Sequence, residues 1–167
     1  MMIVKRILVA TDFGEAADAA LLYGRELART FGAKLDVLHV ADNVFAHAVG
    51  VEGFAVAYPM IQADTEEAAR VQLDALVCDE DRAILGARTV LRVSAAPAPT
   101  IVEYAREANV DLIVIGTHGR GAMAHLFMGS VAERVVRTAP CPVLTVRHPE
   151  HEFVVPDALV AVAKARS

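Results

Sequence analysis

Apolar positions in this 167-residue chain fall into two patterns. Short, mainly aliphatic runs occupy residues 3–10, Leu35–Val40, Ala87–Val93, Asp111–Gly116 and Val143–Arg147. Each has strand length and is rich in Val, Ile and Leu, as in strands covered on both faces. Between them, apolar residues recur every three or four positions. Ala16, Ala19, Ala20, Tyr23, Leu27 and Phe31 predict an amphipathic helix over residues 15–31, ended by Gly32. A more polar helix is expected from about Met60 to Cys78, with Val71, Leu73 and Leu76 turned inward. After a Ser94–Pro99 connection a short helix is expected over residues 100–109, and another over Ser130–Thr138. Pro140 and Pro142 bracket the turn into the last strand. Val44–Tyr58 reads only as a loop or irregular helix that covers something.

Strands alternating with helices call for a parallel sheet with right-handed crossovers. In such sheets ligands bind outside the carboxyl ends of the strands, where strand order reverses. Asp12, Val40 and Gly116 all fall at predicted strand ends. They share one edge.

The most pointed chemistry follows the fourth run. Gly116 ends it, Gly119 follows, and after nine intervening residues Gly129-Ser130 opens a helix. Glycines let backbone N–H groups approach an anion without a Cβ in the way, and a helix start offers unpaired donors and a positive dipole end. Ser130 can cap that helix, since Ser130-Val-Ala-Glu133 has capping-box spacing, or turn its hydroxyl to a phosphate. Asp12-Phe-Gly-Glu15 has the same spacing.

The pattern Gly116-x2-Gly119-x9-Gly129-Ser130 resembles the nucleotide-binding signature of the ATP-binding branch of the universal stress protein family. Ile7-Leu-Val-Ala-Thr-Asp12, Leu38-His39-Val40 and Ala139-Pro-Cys-Pro-Val-Leu144 resemble the family's first strand, second-strand end and last-strand entry. The likeness covers roughly residues 3–147. It implies one doubly wound, Rossmann-like α/β domain over 1–147, with a five-stranded parallel sheet of order 3-2-1-4-5. Residues 148–167 extend past it, and Asp157 could cap a short docked helix there.

The resemblance implies ATP as ligand, with Mg2+ or Mn2+ bridging its phosphates. It places Asp12 by the nucleoside, with Ala10 and Thr11 on the same wall, and Val40 at the adenine edge. Ile115, Gly116, His118, Gly119, Arg120, Gly129, Ser130 and Val131 complete the candidate contacts. Val40 reads equally as a buried strand residue, and His118 and Arg120 as solvated loop side chains. His125 is a weaker candidate. The resemblance also implies a homodimer through Val143–Val146, with an unknown protein partner reading the nucleotide state. A slow ATPase or phosphotransferase is the alternative, and a dimeric stress protein without nucleotide a further one. No catalytic residue is assigned, because no water-positioning base is evident.

Other motifs fall away. Gly119-Arg-Gly121-Ala-Met-Ala124 fits a dinucleotide pattern, but it follows the fourth strand and lacks the acidic residue that should end the next. Asp12-Phe13-Gly14 spells a kinase triplet without the rest of a kinase. The third strand–helix turn carries alanine in Ser94-Ala95-Ala96-Pro97-Ala98 where the family usually has glycine.

Composition narrows the class. Hydrophobic residues make up 55% and charged residues 22%, a globular balance. A net charge of −5 lacks the basic footprint of a nucleic-acid binder. Cys78 and Cys141 stand too far apart for a zinc knuckle and read as reduced thiols. No run approaches the roughly 20 apolar residues of a membrane span. Lys5 and Arg6 precede too short an apolar run for a secretory leader. A soluble cytoplasmic protein is expected.

Overall fold

Five aliphatic segments form one parallel sheet: β1 (Arg6–Thr11), β2 (Lys34–Ala41), β3 (Arg88–Val93), β4 (Leu112–Gly116) and β5 (Val143–Val146). Their order is β3-β2-β1-β4-β5, the Rossmann-like order expected. Helices α1 (Glu15–Phe31), α2 (Tyr58–Leu76), α3 (Asp79–Leu85), α4 (Pro97–Glu107) and α5 (Ser130–Thr138) flank it. The computed structural model describes residues 3–47, 58–117 and 128–147. His118, Gly119, Arg120, His125, part of the 44–58 stretch and the 148–167 extension lie outside the described residues. Among the described residues no helix is long and apolar enough to cross a membrane.

Val9, Leu35, Val37 and Val114 pack with α1, α2 and α3 on one side of the sheet. Leu8, Leu38, Ile113 and Ile115 pack with α4 and α5 on the other. Because successive residues of the central strands serve opposite layers, β1 and β4 read as nearly continuous apolar runs.

Several elements depart from expectation. β1 begins at Arg6, not residue 3, and β4 at Leu112, because Asp111 serves a different purpose. Its Oδ2 accepts the N–H groups of Lys5 and Arg6 at 2.8 and 3.0 Å, tying the two strand entrances together. On α1 the buried face is made of small residues, among them Ala17, Ala20, Gly24 and Ala28, with Leu21. Tyr23 and Phe31, expected inward, are 42% and 41% exposed. On α2, Leu73 is buried as expected but Val71 is 62% exposed.

The polar helix also stops earlier than expected and a separate α3 follows. Arg25 of α1 bridges the break: its guanidinium donates to the Leu76 carbonyl and, at 2.8 Å, to Asp81 Oδ2. Burial acts to raise the Asp81 carboxyl, but the Arg25 hydrogen bond and charge outweigh it and hold it below the ordinary range. Cys78 is the exposed N-cap of α3.

α4 starts at Pro97, three residues before its expected start, with proline in the first turn where its missing N–H costs nothing. The preceding turn closes through Ser94 Oγ, which accepts the Ala96 N–H at 3.1 Å. Ala96 has φ −128°, so alanine fits without strain.

At the amino ends of the strands, Asp36 is 1% exposed and fully engaged. Arg88 donates to both its oxygens, at 2.7 and 3.1 Å, Arg6 donates at 3.3 Å, and the Tyr104 hydroxyl donates at 2.9 Å. The Asp36 hydrogen bond raises Arg88 beyond its ordinary range, against its burial. Burial first, and then the Asp36 charge, push the Tyr104 phenol from 10.0 up to about 12. A phenol raised in the folded state stabilises the fold fully below its unfolded pKa and loses that contribution as pH rises through the folded one. Stability should therefore fall between about pH 10 and 12. Tyr104→Phe should show a shallower fall across that window in urea titrations; an unchanged slope would refute the assignment.

Candidate functional site

The chain leaves β1 through a bend organised by side chains. Thr11, the last residue of β1 and buried, accepts the Phe13 N–H on Oγ1 at 3.0 Å. Asp12 Oδ1 accepts the Gly14 N–H at 3.0 Å, a side-chain-closed turn. Phe13 sits between them at φ 63°. The N-cap of α1 is Gly14, whose carbonyl accepts from Asp18 N at 2.9 Å. The expected Asp12–Glu15 capping box is thus not formed: Asp12 spends Oδ1 on Gly14, and Glu15 is already the first helical residue. What results is a carboxylate fixed at the carboxyl end of β1.

The second anchor is the start of α5. Gly129 is its N-cap, with φ −58°, ψ 146° and no side-chain cap. Its N–H donates to the Thr117 carbonyl, which brings the helix start to the end of β4, and its own carbonyl accepts from Glu133 N at 2.9 Å. Ser130 is therefore the first helical residue, exposed, and not the cap. Glu133 pairs instead with Arg137 at 3.0 Å, so the expected Ser130–Glu133 box is absent too. The N–H groups of Ser130, Val131 and Ala132 have no intrahelical acceptor, and they sit at the positive end of the helix dipole.

Between these anchors lies an apolar wall. Ala10 and Ile115 face each other in the β1–β4 register and are 6% and 5% exposed. Val40 and Val131 pack against the same cluster. Ala10, Val40, Ile115 and Val131 therefore belong to the same apolar layer on the α4–α5 side of the sheet, with Thr11 and Asp12 at the carboxyl end of β1.

Gly116 meets a packing demand of its own. A Cβ there would stand 2.7, 2.8 and 2.9 Å from the C, O and Cβ atoms of Ala16, so β4 lies directly against the first turn of α1. Cys141 packs against the α4–α5 side. Burial first, then the Asp111 charge, raise its thiol, which makes it a poor nucleophile. Among the described residues no group of three or more His, Cys, Asp or Glu could hold a metal ion.

Sequence reasoning overlooked Phe13 and His39 as parts of this edge. His39 Nδ1 lies 2.8 Å from the Thr11 carbonyl, and its ring is 4.3 Å from that of Phe13. The one available signal was a polar residue inside an otherwise apolar strand end.

The fold is that of a Rossmann-like α/β protein with its topological switch point between β1 and β4. The chain matches the Universal stress protein family over residues 4–147. It is 36% identical over 147 residues to a universal stress protein of Thermus aquaticus, covering 86% of this chain and 98% of that relative. The solved structure of universal stress protein UspA from Lactobacillus plantarum aligns with a TM-score of 0.70 at 26% identity, covering 88% of this chain and 100% of that one. A universal stress protein from Archaeoglobus fulgidus, solved in complex with dAMP, aligns with a TM-score of 0.56 at 25% identity, over 87% of this chain and 99% of that one. This chain belongs to the universal stress protein family.

Proposed function

We propose that this protein is an ATP-binding stress-response module of the ATP-binding branch of its family. The observation that carries the reading is the pairing of two anchors across one apolar wall. Asp12 is held by its own turn where a ribose would lie, and the uncapped α5 start offers backbone donors where phosphates would lie. Ala10, Val40, Ile115 and Val131 would take the base between them. The dAMP complex of the Archaeoglobus fulgidus relative supports an adenine nucleotide as the ligand.

Mg2+ or Mn2+ would be held chiefly by phosphate oxygens and water, as hard cations are at many nucleotide sites. Such an ion neutralises phosphate charge; the chain's own part is to orient the nucleoside and cradle the phosphates. His118, Gly119 and Arg120 belong to the same proposed phosphate loop. Occupancy would bias the surface that a protein partner reads. The β5 edge, where Val143, Leu144 and Thr145 are only half-buried, would pair across a homodimer two-fold.

The test is to denature the purified protein and identify released nucleotide by chromatography and mass spectrometry, then titrate emptied protein with Mg-ATP. Retained or saturable ATP is expected. Gly119→Val with Ser130→Ala should abolish it while leaving the melting temperature in place. No binding in the titration would reject the reading in favour of a dimeric stress protein without nucleotide.

A further inference from the structure

We propose that His39 is a positioning residue for this site, acting on the nucleotide through the Thr11–Gly14 bend. The inference rests on the nucleotide-binding reading above.

His39 stands opposite Thr11 in the parallel β1–β2 register. Its Nδ1 is 2.8 Å from the Thr11 carbonyl oxygen. A carbonyl only accepts, so Nδ1 carries the hydrogen and donates it. The Phe13 ring lies beside the same imidazole, with centroids 4.3 Å apart and planes inclined by 38°. One side chain therefore holds both the residue before Asp12, by its carbonyl, and the residue after it, by its ring.

Phe13 needs holding. Among the described residues, the non-glycine positions with positive φ are Phe13 and Asn109. Asparagine tolerates the left-handed region; a bulky aromatic residue does not. Such strain persists only where the surroundings over-determine it, and it clusters at functional sites. Here the Phe13 N–H is tied to Thr11 Oγ1 and the next N–H to Asp12 Oδ1. Those two bonds are local and would form in several bends. The His39 contacts come from a different strand and select this one.

What the strained bend yields is the position of Asp12. Its carboxylate stands at the switch point with Oδ1 already taken by Gly14, leaving Oδ2 to accept from the hydroxyls of a ribose. Loss of the Nδ1 donor leaves the Thr11 carbonyl without that partner and lets the bend relax toward ordinary φ. Asp12 then leaves that position. The α5 anchor, on another element, is unaffected.

The test is Mg-ATP titration of the full chain and its His39 variants by calorimetry. His39→Leu removes the donor and should weaken binding about tenfold, the scale of one lost hydrogen bond in a preorganised site. His39→Asn places an amide nitrogen where Nδ1 stands and should recover most of that loss. His39→Gln places its nitrogen at the Nε2 position and should bind as weakly as His39→Leu, providing the comparison if the leucine variant does not fold. A merely structural role predicts no such split between Asn and Gln. Equal affinities for wild type and His39→Gln, or an Asn variant as weak as the Gln one, would overturn the proposal. A wild-type protein that binds no Mg-ATP would overturn the nucleotide reading itself, and this inference with it.

Discussion

Arg88→Ala is expected to destabilise the protein by about 3 kcal/mol, more than removal of the acid it serves. The asymmetry follows from burial. Asp36 is 1% exposed, whereas the Arg88 side chain is 51% exposed. Without Arg88, Asp36 Oδ1 loses its 2.7 Å donor, while Oδ2 keeps Arg6 and Tyr104. Breaking a buried ion pair from one side costs roughly 3–5 kcal/mol, because a charge is left where water does not reach. The remaining partners and the half-exposed guanidinium place this case at the low end. Asp36→Leu leaves no stranded charge: both arginines can turn to solvent, and leucine suits a strand buried between two layers. Its cost should be about 1–2 kcal/mol, mostly the Tyr104 hydroxyl left without an acceptor, and Tyr104→Phe in the same chain should return part of it. Urea denaturation of the three variants checks the order. An Asp36→Leu protein less stable than Arg88→Ala would show that the pair itself, not the avoidance of a bare carboxylate, holds this corner.

The alternation of strand-length and helix-length patterns was legible because it is local. α5 begins and ends where its periodicity and flanking residues place it, at Ser130 and Thr138, and α1 spans Glu15–Phe31 as read. What escaped depends on contacts between distant residues. The α2–α3 break is bridged by Arg25, 51 and 56 positions away from the residues it clamps. Hydrophobicity nominated Tyr23 and Phe31 for the α1 interface, whereas close approach to the sheet selected alanines and a glycine. Both capping boxes failed for one reason: a glycine took the cap, Gly14 within the Asp12–Glu15 stretch and Gly129 just before Ser130. The candidate site was legible as a set of strand ends and a glycine spacing. The His39 and Phe13 contribution was not, because it exists only once β1 and β2 are paired in register.

Among the described residues, Gly116→Ala should be the most damaging single methyl addition, and Gly24→Ala the most instructive control. At Gly24 a Cβ would stand 2.3 Å from Val9 Cγ2, a side-chain methyl in a fully buried position. Alanine gains about 1 kcal/mol of helix propensity there, and overpacking costs roughly 1–3 kcal/mol, so a net loss is expected. Val9→Ala in the same chain opens the space and should recover most of it. At Gly116 the atoms met are the backbone C and O of Ala16 as well as its Cβ. Ala16→Gly removes only the last of these, so little recovery is expected, and the loss should reach about 3 kcal/mol. The backbone that must move is the first turn of α1, which is continuous with the Asp12 bend. Gly116 could instead be glycine for the ligand's sake, to let a phosphate approach β4. The two causes separate in nucleotide-free protein. A packing requirement makes apo Gly116→Ala less stable by urea denaturation before any ligand is added. A ligand requirement leaves apo stability unchanged and weakens only Mg-ATP binding. The 2.7 Å approach to a main-chain carbon predicts the first outcome, with weaker nucleotide binding as its consequence.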